Sequence, residues 1–206
     1  AGRLTSARGF VPCIMLVLVA ATAVEVCAAS PVLNSVFPAG GQAGTAVEVT
    51  IAGTSLVEVS TLHCSQQDIT CRKVEGKKNT FELSIAEGTP VGQYDLYALT
   101  RDGLSSPRVF VVGNRNELLE ATSNQPDTTP QTVPLDVTVN GRVQKGDIDR
   151  FTFAARKGQR LVLECLARRI DSNLRAVLGV FDSAGRRLAV NRGYFGIDPL
   201  ISFVAP

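Results

Sequence analysis

The sequence predicts an all-β protein: two β-sandwiches, immunoglobulin-like and then an incomplete jelly-roll-like one, behind an N-terminal signal helix. Three observations carry that expectation. After residue 30, short runs alternate apolar and polar residues, the period of two that places successive side chains on opposite faces of a strand. Gly, Pro, Asn and Asp interrupt these runs at turn-like spacing. No long helical period appears among them. The 206 residues are 45% hydrophobic and 19% charged, which sets the chain apart from a disordered one and allows one or two small domains.

Residues 1–29 read as an address. Arg3 and Arg8 precede an apolar run of 15 residues from Phe10 to Val24. As a helix it would rise about 22 Å, short of a hydrocarbon core of about 30 Å, so it fits a secretory signal better than a spanning helix. Cys27 and Ala29 satisfy a small-residue cleavage pattern, with Ala29 last in the signal and Ser30 first in the mature chain; cleavage after Ala28 is the near alternative. A lipoprotein signal fits poorly, because Glu25 and Val26 precede Cys27. The expected location is secreted, periplasmic or at the cell surface, with the membrane met only through the signal peptide before cleavage.

Residues 30–113 form the first predicted module. In 45–52, Val47, Val49 and Ile51 share one face while Glu48 and Thr50 take the other; Phe81, Leu83 and Ile85 repeat the pattern. Residues 94–100 and 108–112 are further β-rich runs. Pro38-Ala-Gly-Gly41, Glu75 to Asn79, Glu87 to Gly92 and Arg101-Asp-Gly103 supply the turns. Cys64 and Cys71 are separated by six residues, a spacing that a hairpin could close, and an oxidising compartment makes them the natural disulfide. Cys165 alternates with Leu161 and Leu163 and reads as a buried free thiol.

Pro31-Val-Leu-Asn-Ser-Val-Phe-Pro38, Gly44 to Gly53, Pro90-Val-Gly-Gln-Tyr94, Gly103-Leu-Ser105 and Phe110-Val-Val112 together resemble an IPT/TIG immunoglobulin-like domain. Residues 114–134, with Pro126, Pro130 and Pro134, read as a linker in which 116–120 could form a helical turn. Residues 135–206 resume the β pattern. Here Asn140-Gly-Arg-Val, Gly146-Asp-Ile-Asp-Arg-Phe, Lys157-Gly-Gln, Leu178 to Ala189 and Ile201 to Pro206 resemble the bacterial pre-peptidase C-terminal (PPC) domain. Such domains continue with further strands, so the resemblance implies an N-terminal part of a longer protein. The arrangement is similar to large secreted proteins of planctomycete-type bacteria.

Candidate chemistry is sparse. Asp147 and Asp149 sit two apart beside a glycine turn, and Asp127 lies in Gln125-Pro-Asp-Thr128, which resembles an acidic segment that binds Ca²⁺ in some PPC-type domains. Gln125 and Thr128 stand where that segment has acids. With too few oxygens for a six-to-eight-coordinate ion, the favoured reading is no metal, Asp147 shaping a turn and Asp149 facing solvent. Beside Cys64 and Cys71, His63 would give zinc only three ligands, and a sequence with a single His excludes sites that need two imidazoles. No G-x-S-x-G and no phosphate-binding glycine loop occurs.

Charge is uneven: residues 30–134 carry 7 basic and 11 acidic groups, residues 135–206 carry 12 and 7. The net +2 and the lack of interleaved aromatics exclude a nucleic-acid platform. The expected function is non-catalytic: an extracellular or cell-surface binding or structural module of a larger exported protein, with an unknown protein or a polysaccharide as partner and no cofactor. The alternative implied by the PPC resemblance is an accessory region of a secreted hydrolase, a peptidase, whose catalytic domain lies beyond residue 206.

Overall fold

The computed structural model describes residues 29–121, 129–143, 146–194 and 196–206. The predicted signal helix and Asp127 lie outside them. Ala29 and Ser30 are exposed and precede the first strand. Among the described residues, no helix is long and apolar enough to cross a membrane.

Residues 31–113 make a two-layer sandwich. One sheet is β1 (Val32–Phe37), β3 (Ala46–Thr54), β6 (Thr80–Ile85) and β5 (Ile69–Lys73), in that order and antiparallel throughout. The facing sheet is β2 (Gly40–Gln42), β9 (Arg108–Gly113), β7 (Gly92–Thr100) and β4 (Thr61–Cys64), with β8 (Gly103–Leu104) folded back on β7. β2 runs parallel to β9; the other pairs are antiparallel. This is the strand order of an immunoglobulin-like sandwich.

The alternation in the sequence decides which face is buried. Val49 pairs with Phe81 and Val47 with Leu83, so the apolar set of β3 and β6 lies on one side of the sheet. Leu33, Val49, Phe81 and Leu83 meet Leu96, Ala98, Phe110 and Val112 from the other sheet, and all eight are fully buried. The outer face is polar. Glu48 and Glu82 are cross-strand neighbours, and each carboxylate has its own cation, Lys77 at 2.7 Å and Arg72 at 3.0 Å.

The chain changes sheets at Phe37–Pro38, a cis peptide bond, and enters β2. Two glycines permit that crossing. A Cβ on Gly40 would lie 2.7 Å from the Val111 carbonyl oxygen, and one on Gly41 would lie 2.6 Å from Ile85 Cδ1. The close approach of β2 to β9 and to the core therefore requires a residue without a side chain.

The C-terminal half is thinner. Among the described residues its strands pair two by two: β10 (Asn116–Leu119) with β12 (Val137–Asn140) and β11 (Gln131–Thr132) with β13 (Phe151–Thr152), both parallel. β14 (Arg160–Glu164) pairs with β17 (Leu200–Val204), and β15 (Leu178–Phe181) with β16 (Arg187–Asn191), both antiparallel. Residues 116–120 are not a helical turn: 116–119 form a strand whose ladder with β12 satisfies the backbone. In and just after the segment Gly146-Asp-Ile-Asp-Arg-Phe, only Phe151–Thr152 are strand. Few apolar side chains are buried here, Val180 and Ile201 among them, and Val162 stays 62% exposed.

Polar contacts take the place of a thick core. Asp198 is fully buried and its carboxylate accepts from the backbone N–H groups of Ala167 (3.1 Å), Arg168 (2.8 Å) and Arg169 (3.1 Å) and from Arg169 Nε (3.1 Å). They organise the 3-10 turn Arg168–Ile170. Next to it, Asp171 Oδ2 accepts from the Val109 N–H at 3.0 Å, tying this half to β9 of the sandwich. Burial acts to raise the Asp198 pKa, but the three N–H donors and Arg169 outweigh it and hold the group below the usual carboxylate value.

Two outcomes follow. Leu83→Ala lowers the stability of the sandwich by about 2–5 kcal/mol in chemical denaturation, whereas Val162→Ala stays within about 0.5 kcal/mol. Asp198→Asn lowers the melting temperature at pH 7. Because the folded pKa of Asp198 is depressed, its stabilisation is present above the unfolded value and is lost as pH falls through the folded one, so the deficit of the variant shrinks in acid. A deficit independent of pH in a melting series from pH 7 to pH 2 would contradict this role.

Candidate functional site

A groove of about 500 Å³ opens where the sandwich meets the β10–β12 ribbon, a size within the usual range of ligand sites. One wall is β2, the turn after it and the start of β3; the other is β10 and the end of β12. The turn is fixed by backbone bonds, Ala43 N–H to the Gly113 carbonyl at 2.9 Å and Gly44 N–H to the Ile85 carbonyl at 3.1 Å. Thr45 Oγ1 closes it by donating to the Gln42 carbonyl at 2.7 Å. Across the groove, Leu118 pairs with Val139 and Leu119 with Asn140, which sets the ribbon's register. At its edge the Arg142 guanidinium stacks over the Phe37 ring, 4.0 Å from the centroid, a cation–π contact that links the ribbon to the end of β1.

The lining mixes amides, carboxylates and aliphatic side chains. Asn140 Nδ2 donates to Glu117 Oε2. Burial pushes the Glu117 carboxyl above the usual value, against the opposing effect of that hydrogen bond. Glu48 is held by Lys77 Nζ, with 2.7 and 2.8 Å to its two oxygens. Among the described residues, the side-chain amides of Gln42 and Asn116 have no partner. Val47, Leu118 and Leu119 are its aliphatic members, Val47 packed against the sandwich core and Leu119 exposed.

The residues singled out in the sequence lie elsewhere. Asp147 follows the turn at Gly146, and both it and Asp149 are partly exposed. The side chain of Asp149 is hydrogen-bonded to Glu120, which also accepts from the Arg142 N–H at 3.0 Å. Burial, then the charge and hydrogen bond of Glu120, then the charge of Asp147, push the Asp149 carboxyl up. Among the described residues, no group of three or more His, Cys, Asp or Glu is arranged to hold a metal ion.

The expected disulfide is not formed. Cys64 and Cys71 are free thiols, as is Cys165. Residues 64–71 do not close a hairpin, because β4 belongs to one sheet and β5 to the other. Both thiols face the core, but Cys71 Sγ sits opposite Leu62, accepting from its N–H at 3.4 Å. That is two residues, about 6.6 Å along a strand, from Cys64. Burial pushes all three thiols up, away from nucleophilic character.

Part of the basic excess is internally compensated: Arg169 pairs with Glu164 and Asp198, and Arg186 with Asp182. The groove residues Gln42, Asn116, Glu117 and Asn140 escape a sequence reading because they come from three separate segments. The one local signal, Asn140-Gly141, is a turn signature and says nothing of the side chain.

No protein-family model matches the chain, and no curated protein matches it. Several solved structures are similar to parts of it, two of them as follows. One is the γ-CGTase of alkalophilic Bacillus clarkii, at 21% identity and TM-score 0.32, over 47% of this chain and 15% of that one. The other is SGBP-B of the Bacteroides ovatus mixed-linkage glucan utilization locus, solved with a mixed-linkage heptasaccharide. It is 13% identical with TM-score 0.32, over 82% of this chain and 34% of that one. The chain therefore spans well under two thirds of either protein.

Glu117 gives a pH signature. A carboxyl whose folded pKa is raised binds protons more readily when folded, so stability is lost as pH rises from the unfolded value through the folded one. Glu117→Gln keeps an acceptor for Asn140 and removes the charge. It is expected to melt above the parent at pH 7, with the gap closing as pH falls toward about 4.5, the ordinary value for this group. A gap that stays constant between pH 4 and pH 8 would show that the carboxyl is not desolvated.

Proposed function

We propose that this chain is a non-catalytic binding module of an exported protein, engaging a polysaccharide or protein outside the cell or at its surface. The observation that supports it most is the groove between the sandwich and the β10–β12 ribbon. Its walls are strands and a hydrogen-bonded turn, so side chains that meet a ligand are held by a rigid frame, as binding loops are on other sandwiches. The groove chemistry is that of recognition. It offers amides, a hydroxyl and carboxylates already committed to partners, and among the described residues its lining contains neither a thiol nor an imidazole to serve as nucleophile or base. The N-terminal charge and apolar pattern supports export, and the resemblance to IPT/TIG and PPC domains supports a place within a larger secreted protein.

The test uses the full chain, supplied with a start codon, in a bacterial host. Mass spectrometry of the exported product is expected to show Ser30 as its first residue. The purified product, fluorescently labelled, is expected to be retained on intact cells or isolated cell-wall and extracellular polysaccharide without releasing sugars or peptides. Retention of the product uncleaved in the cytoplasm, or release of degradation products, would contradict the reading.

A further inference from the structure

From the groove we infer a site for an uncharged polyhydroxylic chain, a segment of neutral polysaccharide lying between β2 and β10. This rests on the binding-module reading and specifies its ligand. Three features of the groove point to this class.

The first is charge. Among the described residues no Lys or Arg belongs to the lining, and the cations at its margin are already engaged, Lys77 by Glu48 and Arg142 by the Phe37 ring, so an anionic polymer would meet little free positive charge there. The two carboxylates do not leave a strong negative field for a cationic ligand either: Glu48 is neutralised by Lys77, and Glu117 is half-buried against Asn140. The second is unspent hydrogen-bonding capacity. The Gln42 and Asn116 amides are without partners among the described residues, and each offers two donors and an acceptor. They stand on opposite walls, β2 and β10. Hydroxyls both donate and accept, so they match amides together with the remaining acceptor positions of Glu117 and Asn140. The third is the aliphatic surface. Leu119 is 59% exposed, and it gives the C–H face of a sugar ring an apolar surface to cover. Mostly apolar walls with a few placed polar groups are the usual make-up of a small-ligand site.

The test is titration calorimetry of the full mature chain against soluble neutral polysaccharides (a β-glucan, a galactomannan, an arabinoxylan) and two anionic ones (alginate, heparin). The parent, Gln42→Ala, Asn116→Ala and the distant control Val162→Ala are compared. Neither amide holds the fold together, so melting temperatures are expected to stay within a degree or two of the parent. At least one neutral polysaccharide is expected to bind, with affinity falling about tenfold or more in each amide variant and unchanged in Val162→Ala. Neutral binding that both amide variants retain in full would overturn the assignment to this groove while leaving a binding module intact. Binding of the anionic polymers alone, or of none of the five, would overturn the ligand class; cell-surface retention then decides separately whether the module reading survives.

Discussion

Everything in this structure depends on the apolar contact between the two sheets of residues 31–113. A sheet gains hydrophobic stabilisation only on a face that another layer covers. Phe81, Leu83 and Val49 on one side and Phe110, Leu96 and Val112 on the other provide that cover completely. The C-terminal half has no comparable layer. Its two-stranded ribbons are individually marginal units, and they are positioned by discrete polar anchors: Asp171 on the Val109 N–H, Arg142 on Phe37 and Asp198 beneath its own turn. The groove lies on the seam between the thick part and the thin part, where a wall of the sandwich and the anchored β10–β12 ribbon meet without filling the space between them.

The polar groups of that seam divide by the work they do. Asn140 is spent on Glu117, and Lys77 on Glu48. Gln42 and Asn116 are spent on nothing among the described residues. A frame whose structural hydrogen bonds are made internally, with spare amides on opposite walls, is pre-organised for a ligand rather than in need of one. The neutralised carboxylates and a lining without Lys or Arg among the described residues then select against charged ligands. That is why the chemistry of the groove favours hydroxyl-rich partners over acidic or basic ones.

The sandwich was largely legible in the sequence because its signal is local. Alternation in 45–52 and at Phe81, Leu83 and Ile85 fixes both the strands and their buried face, and the structure pairs them in the register that such alternation demands. The Cys64–Cys71 reading failed for a non-local reason. Spacing along the chain carries no information about which sheet each strand joins, and the segment between them crosses from one layer to the other. Residues 116–120 misled in a similar way, since Glu-Leu-Leu-Glu suits a helix until the ladder with β12 is available. The neighbour of Asp149, Glu120, is far away in sequence and so could not be read from it. The groove was invisible for the same reason: its amides become neighbours only after β2, β10 and β12 are in place.

The central claim is that ligand binding happens at this seam, and hydrogen exchange read by mass spectrometry tests it most directly. With a saturating polysaccharide present, exchange is expected to slow in peptides covering 40–48, 116–119 and 137–140, while the ribbons β14–β17 and β15–β16 exchange as they do without ligand. Slowing confined to those C-terminal ribbons, or to β5 and β6, would place binding elsewhere and contradict the account.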